Sequence, residues 1–489
     1  MYLTVKNHKF HYEMENLVRV FFPDKKITVC DSIPDEGEYC LTELNGHKVT
    51  VSLNLGEKEY THSEEVSVKA KFQDESDESF LERKMAIMLF EILSNATSYT
   101  PPWGILTGVR PAKLMSNLIK KMGEDKAKRY FIQELQVSEE KTNLAFLVAK
   151  AEAPITEMTK PDSFSLYVSI PFCPTRCSYC SFISHSNESA KKLIPQYLEK
   201  LCEEIEYTGK IAKELSLRLE SVYIGGGTPT VLSAEQLKKI TDCIKANFDL
   251  SSIREYTIEA GRPDSLSEDK FSVMLSSDCS RISINPQTFN DDVLKEIGRN
   301  HNSEMTLNAF KSARKIGFKN INMDLIAGLP TDTLDSFEKT LDTAISLGAE
   351  NITVHTLALK RSAALVTDSR EVNSAEVTAE MLSLVQEKLT QKGYVPYYMY
   401  RQSKSLGNLE NVGWAKPSYE GLYNVFMMEE CHTILSVGAG AVTKLKAPFG
   451  TQIERIFNYK YPYEYIGNFS EILNRKQYIA QFYSEHYRK

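Results

Sequence analysis

At 489 residues the chain is long enough for two or three domains of roughly 150 residues each, and for a large core without covalent staples. With 42% hydrophobic and 25% charged residues, and only 23 Gly and 18 Pro, its composition excludes collagen-like, low-complexity and predominantly disordered states. Lys plus Arg number 58 against 65 Asp plus Glu, a net charge of −7 that offers no global attraction to a phosphate backbone and argues against a nucleic-acid partner.

From residue 1 to about 160 the pattern is mixed α+β. Alternating runs predict strands at Tyr39-Cys-Leu-Thr-Glu-Leu, Lys48-Val-Thr-Val-Ser-Leu and Val66-Ser-Val-Lys-Ala-Lys-Phe, the first two joined at the turn Asn45-Gly46. Helical spacing follows from Ser79 to Leu93 and again from Ala112 to Ala151, separated by the Pro/Gly-rich segment Thr100 to Pro111. The stretch from Ala153 to Asp162 has little periodicity and reads as a linker. The densest apolar run, Ala86 to Phe90, is far short of the roughly 18 residues of a membrane span, so none is expected. Met1-Tyr-Leu-Thr-Val-Lys-Asn-His lacks the apolar core of a secretory signal, so the expectation is a soluble, cytoplasmic protein.

From Phe164 onward β-rich runs alternate with amphipathic stretches: Ser165 to Ile170, Ser221 to Ile224, Glu255 to Glu259, Arg281 to Ile284, Asn320 to Ile326 and Asn351 to His355. Six βα repeats imply a parallel sheet, either an open (β/α)₆ barrel or a doubly wound sheet, with ligands at the strands' C-terminal ends in both cases. After about residue 370 come a helix, Ser374 to Lys392, a Tyr/Gly-rich stretch and a polar tail. The expected division is an accessory α+β domain over 1–160, a barrel over 161–370 and a mostly helical C-terminal extension over 371–489.

The chemistry is concentrated behind the first barrel strand. Of nine cysteines, three lie in Cys173-Pro-Thr-Arg-Cys177-Ser-Tyr-Cys180, and such clustering in a large intracellular chain points to metal rather than disulfides. Three thiolates suit three irons of a [4Fe–4S] cluster with one iron left open; with His185 as a fourth ligand the same site would suit zinc. Gly225-Gly-Gly-Thr-Pro-Thr230 follows the second strand, where a bare backbone can approach a ligand closely, and it lacks the Gly-Lys-Ser/Thr ending of a triphosphate loop. Glu259 ends the third strand, placed to accept from an ammonium or a ribose. Asp324 lies mid-strand among apolar residues and needs a partner, for which Arg299 is the expected candidate; Gln287 and His301 belong to the same strand-loop-helix region.

The cysteine spacing, with Tyr179 before the last Cys, resembles the signature of the radical S-adenosylmethionine (SAM) superfamily. Together with Gly225 to Thr230, Gln287 to His301 and Asp324-Leu-Ile-Ala-Gly-Leu-Pro330, it resembles the oxygen-independent coproporphyrinogen III oxidase family. Trp103 to Arg110, Leu406 to Pro417 and Gly438-Ala-Gly-Ala441 match its HemZ-type branch, which makes 371–489 a HemN-like C-terminal domain. The resemblance implies that SAM chelates the open iron, that Tyr179 lies by the adenine, and that Tyr167, Gly226, Gly227, Thr228, Glu259, Gln287, Arg299, Asp324 and Ala358 contact SAM, with Gln287, Arg299 and Asp324 placed for a second SAM molecule.

The implied reaction is cleavage of SAM by one electron from a donor such as flavodoxin or ferredoxin. The adenosyl radical then takes a β-hydrogen from a propionate of the tetrapyrrole, and loss of CO₂ and an electron leaves a vinyl group. Two rounds give protoporphyrinogen IX. Phe182 stands where the established oxidases have a further Cys, and it is shared with the haem-chaperone branch. The haem-binding alternative stays open; that branch would want a His-Asn pair where this chain has Tyr423-Asn424, leaving Cys431-His432 as the local iron-ligand candidate.

Overall fold

The structure is a computed structural model, and it describes residues 1–68, 75–180, 192–360, 363–367 and 372–486. The chain forms two compact units, Met1–Ala149 with Tyr400–Leu409, and Lys150–Met399 with Glu410–Lys489.

The first unit carries a five-stranded sheet: β1 (Tyr2–Lys6), β2 (Thr28–Cys30), β3 (Tyr39–Asn45), β4 (Lys48–Asn54) and β5 (Glu59–Glu65), in the order β2-β1-β3-β4-β5. The β3–β4 hairpin closes with Asn45 opposite Lys48 and Gly46 at φ +64°, the positive angle that a two-residue turn needs at its first central position. The third predicted strand is displaced: the partner of β4 is Glu59–Glu65, not Val66 to Phe72, whose last four residues lie outside the described ones. This strand, Glu-Tyr-Thr-His-Ser-Glu-Glu, is at the sheet edge and mostly exposed, so it has no apolar alternation to read. The helices His11–Phe21 and Asp77–Thr97 pack their apolar residues with Leu3, Val49, Val51 and Leu53 into one core. The helical region after Pro111 is three helices, Pro111–Met122, Glu124–Gln133 and Glu139–Glu157. The last runs through Pro154 into the stretch read as a linker; a proline near a helix end gives up little, because few turns follow it.

The second sheet begins with β6 (Ser163–Ile170), β7 (Arg218–Gly226), β8 (Glu255–Glu259), β9 (Arg281–Ser283), β10 (Ile321–Ala327) and β11 (Asn351–Thr356), each parallel to the next. Their spatial order repeats their chain order with no reversal. A doubly wound sheet reverses at its switch point, so of the two expected architectures this is the open (β/α)₆ barrel. Four of the crossover helices begin at polar caps, Ser233, Ser267, Asn302 and Thr333; that of Ala234–Asn247 has a capping box in which Ser233 and Gln236 satisfy each other's backbone N–H. Leu237, Ile240 and Ile244, three and four residues apart, are the buried stripe of that helix.

Beyond the helix Ala375–Gln391, the region expected to be mostly helical ends in three helices, Pro462–Gly467, Phe469–Lys476 and Tyr478–His486. It also supplies β12 (Val395–Arg401), β13 (Glu410–Ala415), β14 (Thr433–Val437), β15 (Val442–Lys446) and β16 (Ile453–Phe457). β14 lies parallel to β6 and β13 antiparallel to β11, so both barrel edges are covered and the barrel stays open. Glu204, fully buried on the helix Ile194–Glu214, ties this region down: it accepts from Gly438 N (2.7 Å), Tyr465 Oη (2.5 Å) and Asn458 Nδ2 (2.7 Å), and lies 3.1 Å from Lys476 Nζ.

Candidate functional site

The cysteine loop leaves β6 at Ile170 and is fastened to the end of β7 by two short backbone bonds, Gly227 N to Ile170 O and Thr228 N to Phe172 O, both 2.7 Å. A Cβ on Gly227 would stand 2.5 Å from Phe172 O and 3.0 Å from Cys173 Sγ, so only glycine lets the two loops meet. Gly226 adds a φ of +109°, which turns the chain out of the strand. Thr228 Oγ1 donates to Cys173 Sγ at 3.5 Å. Within the loop Cys180 N bonds Cys177 O (3.1 Å), and Ser178 N reaches Ile297 O (3.0 Å) on the segment after β9. Cys177 is buried and Cys173 and Cys180 are half-buried.

Glu259, at the C-terminal end of β8, accepts from Tyr223 Oη at 2.6 Å, and burial, opposed by that bond, lifts its carboxyl to about 7. Tyr167 stacks with Tyr223 (6.2 Å between centroids, 23°) and with Tyr423 (6.1 Å, 15°), and the last two lie 4.5 Å apart. Gln287 is held at φ +72°, a left-handed conformation rare outside glycine, by N–H to Asp324 O and C=O to Ile326 N, both 3.0 Å. Ala358 is half-buried just past β11, its carbonyl accepting from Lys360 N at 3.1 Å.

Two expectations are corrected. Arg299 does not pair with Asp324: its Nη2 donates to Tyr179 Oη at 2.8 Å, whereas Asp324 accepts from Asn322 Nδ2 (2.7 Å) and faces His355 Nε2 at 3.9 Å. Residues two and thirty-one positions from Asp324 sit nearer to it than the loop arginine does, because β10 and β11 run in register. His432 is buried with its Nε2 2.8 Å from Ser165 Oγ and its ring 4.2 Å from Phe426, and burial beside Arg254 and Arg218 lowers it to about 3. It precedes β14 at the N-terminal ends of the strands, away from the cysteine loop. Phe182 and His185 lie outside the described residues.

Arg262, which sequence reading did not single out, is 3% exposed and bonds Thr175 O, Thr175 Oγ1 and Cys177 Sγ. Its only signal in the sequence is its place three residues past the end of β8.

The residues fit a cluster and a polar ligand. Three soft thiols share one loop with two buried guanidinium groups beside it, a donor set suited to iron–sulfur ligation. Among the described residues no three His, Cys, Asp or Glu side chains form a group that could hold a single metal ion. Arg299 Nε and Nη1, Ser283 Oγ and Asn285 Oδ1 are buried without a hydrogen-bond partner among the described residues, which leaves them for a ligand at the strand ends.

Residues 167–344 match the radical SAM superfamily model. The chain is 33% identical over 98% of its own length, and 98% of the other's, to the oxygen-independent coproporphyrinogen-III oxidase-like protein HemZ of Bacillus subtilis. It is 37% identical over 53% of its length to the same organism's heme chaperone HemW, covering 68% of that protein. Among solved structures, coproporphyrinogen III oxidase HemN of Escherichia coli, a radical SAM enzyme by its description, is similar with a TM-score of 0.51 at 24% identity, over 67% of this chain and 72% of that one; this likeness is one of fold.

Proposed function

The chain belongs to the HemZ family of oxygen-independent coproporphyrinogen-III oxidase-like proteins, within the radical SAM superfamily, and on that premise we propose that it oxidatively decarboxylates two propionates of coproporphyrinogen III to give protoporphyrinogen IX. The observation that best supports this reading is the joining of the three-cysteine loop to the glycine-rich end of β7 at the C-terminal rim of the barrel. Once reduced by one electron, the cluster with SAM supplies a carbon radical able to take a hydrogen atom.

The chain's own residues then have defined tasks. Cys173, Cys177 and Cys180 hold three irons. Gly226, Gly227 and Thr228 offer backbone and hydroxyl partners to the methionine end of SAM, with Tyr167 and Tyr179 as aromatic contacts. Glu259, poised near neutrality, becomes fully ionised when an ammonium settles against it, since a nearby cation lowers a carboxyl pKa. Gln287, Arg299 and Asp324 are proposed contacts of a second SAM molecule, with Ala358 a further SAM contact, and the unpartnered edge of Arg299 suits a carboxylate. Nine thiols outside any disulfide fit a reducing, cytoplasmic setting and a flavodoxin- or ferredoxin-like donor, and among the described residues no helix is long and apolar enough to cross a membrane. In this scheme 161–370 is the reacting domain, 371–489 its C-terminal extension and 1–160 an accessory domain.

A second reading, a haem-binding chaperone, is favoured by the likeness to HemW. Against it, His432 is committed to Ser165 inside the core. The deciding experiment is anaerobic: reconstitute the cluster, add SAM, reductant and coproporphyrinogen III, and follow 5′-deoxyadenosine and porphyrin mass. Two successive losses of CO₂, abolished by Cys177→Ala, support the oxidase; 5′-deoxyadenosine without a porphyrin change refutes it and makes haem the next ligand to test.

A further inference from the structure

We propose that Arg262 is a positioning residue that holds the cysteine loop in place and donates an N–H to the sulfur of Cys177, making the cluster easier to reduce. The inference rests on the reading of Cys173, Cys177 and Cys180 as cluster ligands.

Beyond β8 the chain runs Ala260-Gly-Arg-Pro-Asp264, and Arg262 turns inward. Its guanidinium uses two separate edges. Nη1 reaches the cysteine loop, at 2.7 Å from Thr175 Oγ1, 3.2 Å from Thr175 O and 3.8 Å from Cys177 Sγ. Nε and Nη2 form a two-pronged pair with Asp264 Oδ1 (3.0 Å) and Oδ2 (2.9 Å). Asp264 thus aims the cation at the loop, with His301 Nδ1 3.9 Å behind it. A lysine has a single point of charge and cannot grip a carboxylate with one edge while bonding a backbone carbonyl and a sulfur with the other.

The placement matters because a buried cation gains little from a neutral thiol and much from a thiolate, where the hydrogen bond is charge-assisted. Hydrogen bonds to ligand sulfurs are a lever on cluster potentials. Reduction here adds one electron, from an external one-electron donor, to a group that already carries negative charge, with no proton moving. A positive N–H directed at Cys177 therefore stabilises the reduced state more than the oxidised one. Removing it also leaves the Asp264 carboxylate uncompensated near the loop, which adds to the effect.

The test compares wild type, Arg262→Gln and Arg262→Lys after anaerobic reconstitution, with two readings: the midpoint of the cluster followed by electron paramagnetic resonance during titration with titanium(III) citrate, and the half-time of iron loss to a chelator. The inference expects a more negative midpoint and severalfold faster iron loss for Arg262→Gln, with Arg262→Lys between it and wild type. A midpoint and a half-time equal to wild type in both variants would overturn it. Should Arg262→Gln fail to fold, Arg262→Lys decides by the same two readings. The ligand reading is tested separately by Cys177→Ala: a variant that takes up as much cluster as wild type, or a wild type that takes up none, overturns that reading and this inference with it, whereas a normal cluster in wild type with unchanged Arg262 variants overturns this inference alone.

Discussion

Replacing Gly227 by alanine tests whether the contact between the glycine-rich and cysteine loops is as tight as its distances say. The new Cβ would stand 2.5 Å from Phe172 O, a separation that real Cβ atoms essentially never show, so one of the loops must move by about half an ångström or more. That movement stretches two 2.7 Å bonds, Gly227 N to Ile170 O and Thr228 N to Phe172 O, each contributing about 0.5–1.5 kcal/mol. Overpacking of a close-packed site costs about 1–3 kcal/mol, so the joint expectation is a loss of about 2–4 kcal/mol in urea unfolding of the cluster-free protein, where the effect on the fold is isolated. Because Cys173 Sγ would be only 3.0 Å from the added carbon, iron per chain after reconstitution should fall as well. Gly467→Ala is the matched control: nothing lies within 4 Å of its added Cβ, at a helical position where alanine is neutral to stabilising. A Gly227→Ala protein that unfolds within about 0.5 kcal/mol of wild type and takes up full iron would refute the reasoning.

Two further outcomes are expected. Glu204→Ala removes the acceptor shared by Gly438, Asn458 and Tyr465 and leaves the buried Lys476 ammonium with Ser436 O, so it should cost about 3–5 kcal/mol in urea unfolding, with Glu204→Gln milder. His432 is held near a pKa of 3 in the fold against about 6.5 unfolded, so the unfolded state binds the extra proton between those values. Stability is therefore expected to fall as pH drops from about 6.5 toward 3, by at most about 1.4 kcal/mol per pH unit from this group; His432→Gln should flatten that slope, and an unchanged slope would show that the ring is not neutral in the fold.

How far the site could be read in advance follows from where its determinants lie. Cys173, Cys177 and Cys180 are legible because three ligands within eight residues of one loop write their geometry into spacing. The six parallel strands are legible because both faces are buried, as the near-continuous burial of Ser163–Ile170 illustrates. Glu59–Glu65 is not, because this edge strand is polar on both faces. Arg262 is hidden for another reason: its contact with Cys177 spans 85 positions and depends on the end of β8 arriving beside the loop after β6. The Arg299–Asp324 expectation failed in the same way, since complementary charge suggests a pair whereas strand register decides which groups meet. The strands β12 to β16 lie in Tyr- and Gly-rich sequence whose pairing with β6 and β11 is set by those edges rather than by local pattern.

Tyr423 shows how the C-terminal region enters the barrel. Its helix, Leu422–Glu429, begins with two N–H groups donated to Glu255, Leu422 N to Oε2 at 2.8 Å and Tyr423 N to Oε1 at 3.0 Å, and a carboxylate at a helix N-terminus is favourable. So anchored, the ring lies 4.5 Å from Tyr223 and 6.1 Å from Tyr167, beside the Glu259 carboxylate, while its own hydroxyl is buried without a hydrogen-bond partner among the described residues. A stacked ring contributes through its face, and an unbonded buried hydroxyl is a cost rather than a gain. Tyr423→Phe should therefore leave the ligand-free protein as stable as wild type or slightly more so, and Tyr423→Ala, which empties the stack, should cost about 3–5 kcal/mol in urea unfolding. The comparison becomes informative when SAM and coproporphyrinogen III are added under reducing conditions. A Tyr423→Phe protein with wild-type stability but impaired 5′-deoxyadenosine or porphyrin formation would mean that the hydroxyl meets a ligand; unchanged turnover would make the residue a wall of the barrel and nothing more. A clear loss of stability in Tyr423→Phe would refute the argument at its first step, since it would require a partner for the hydroxyl inside the fold.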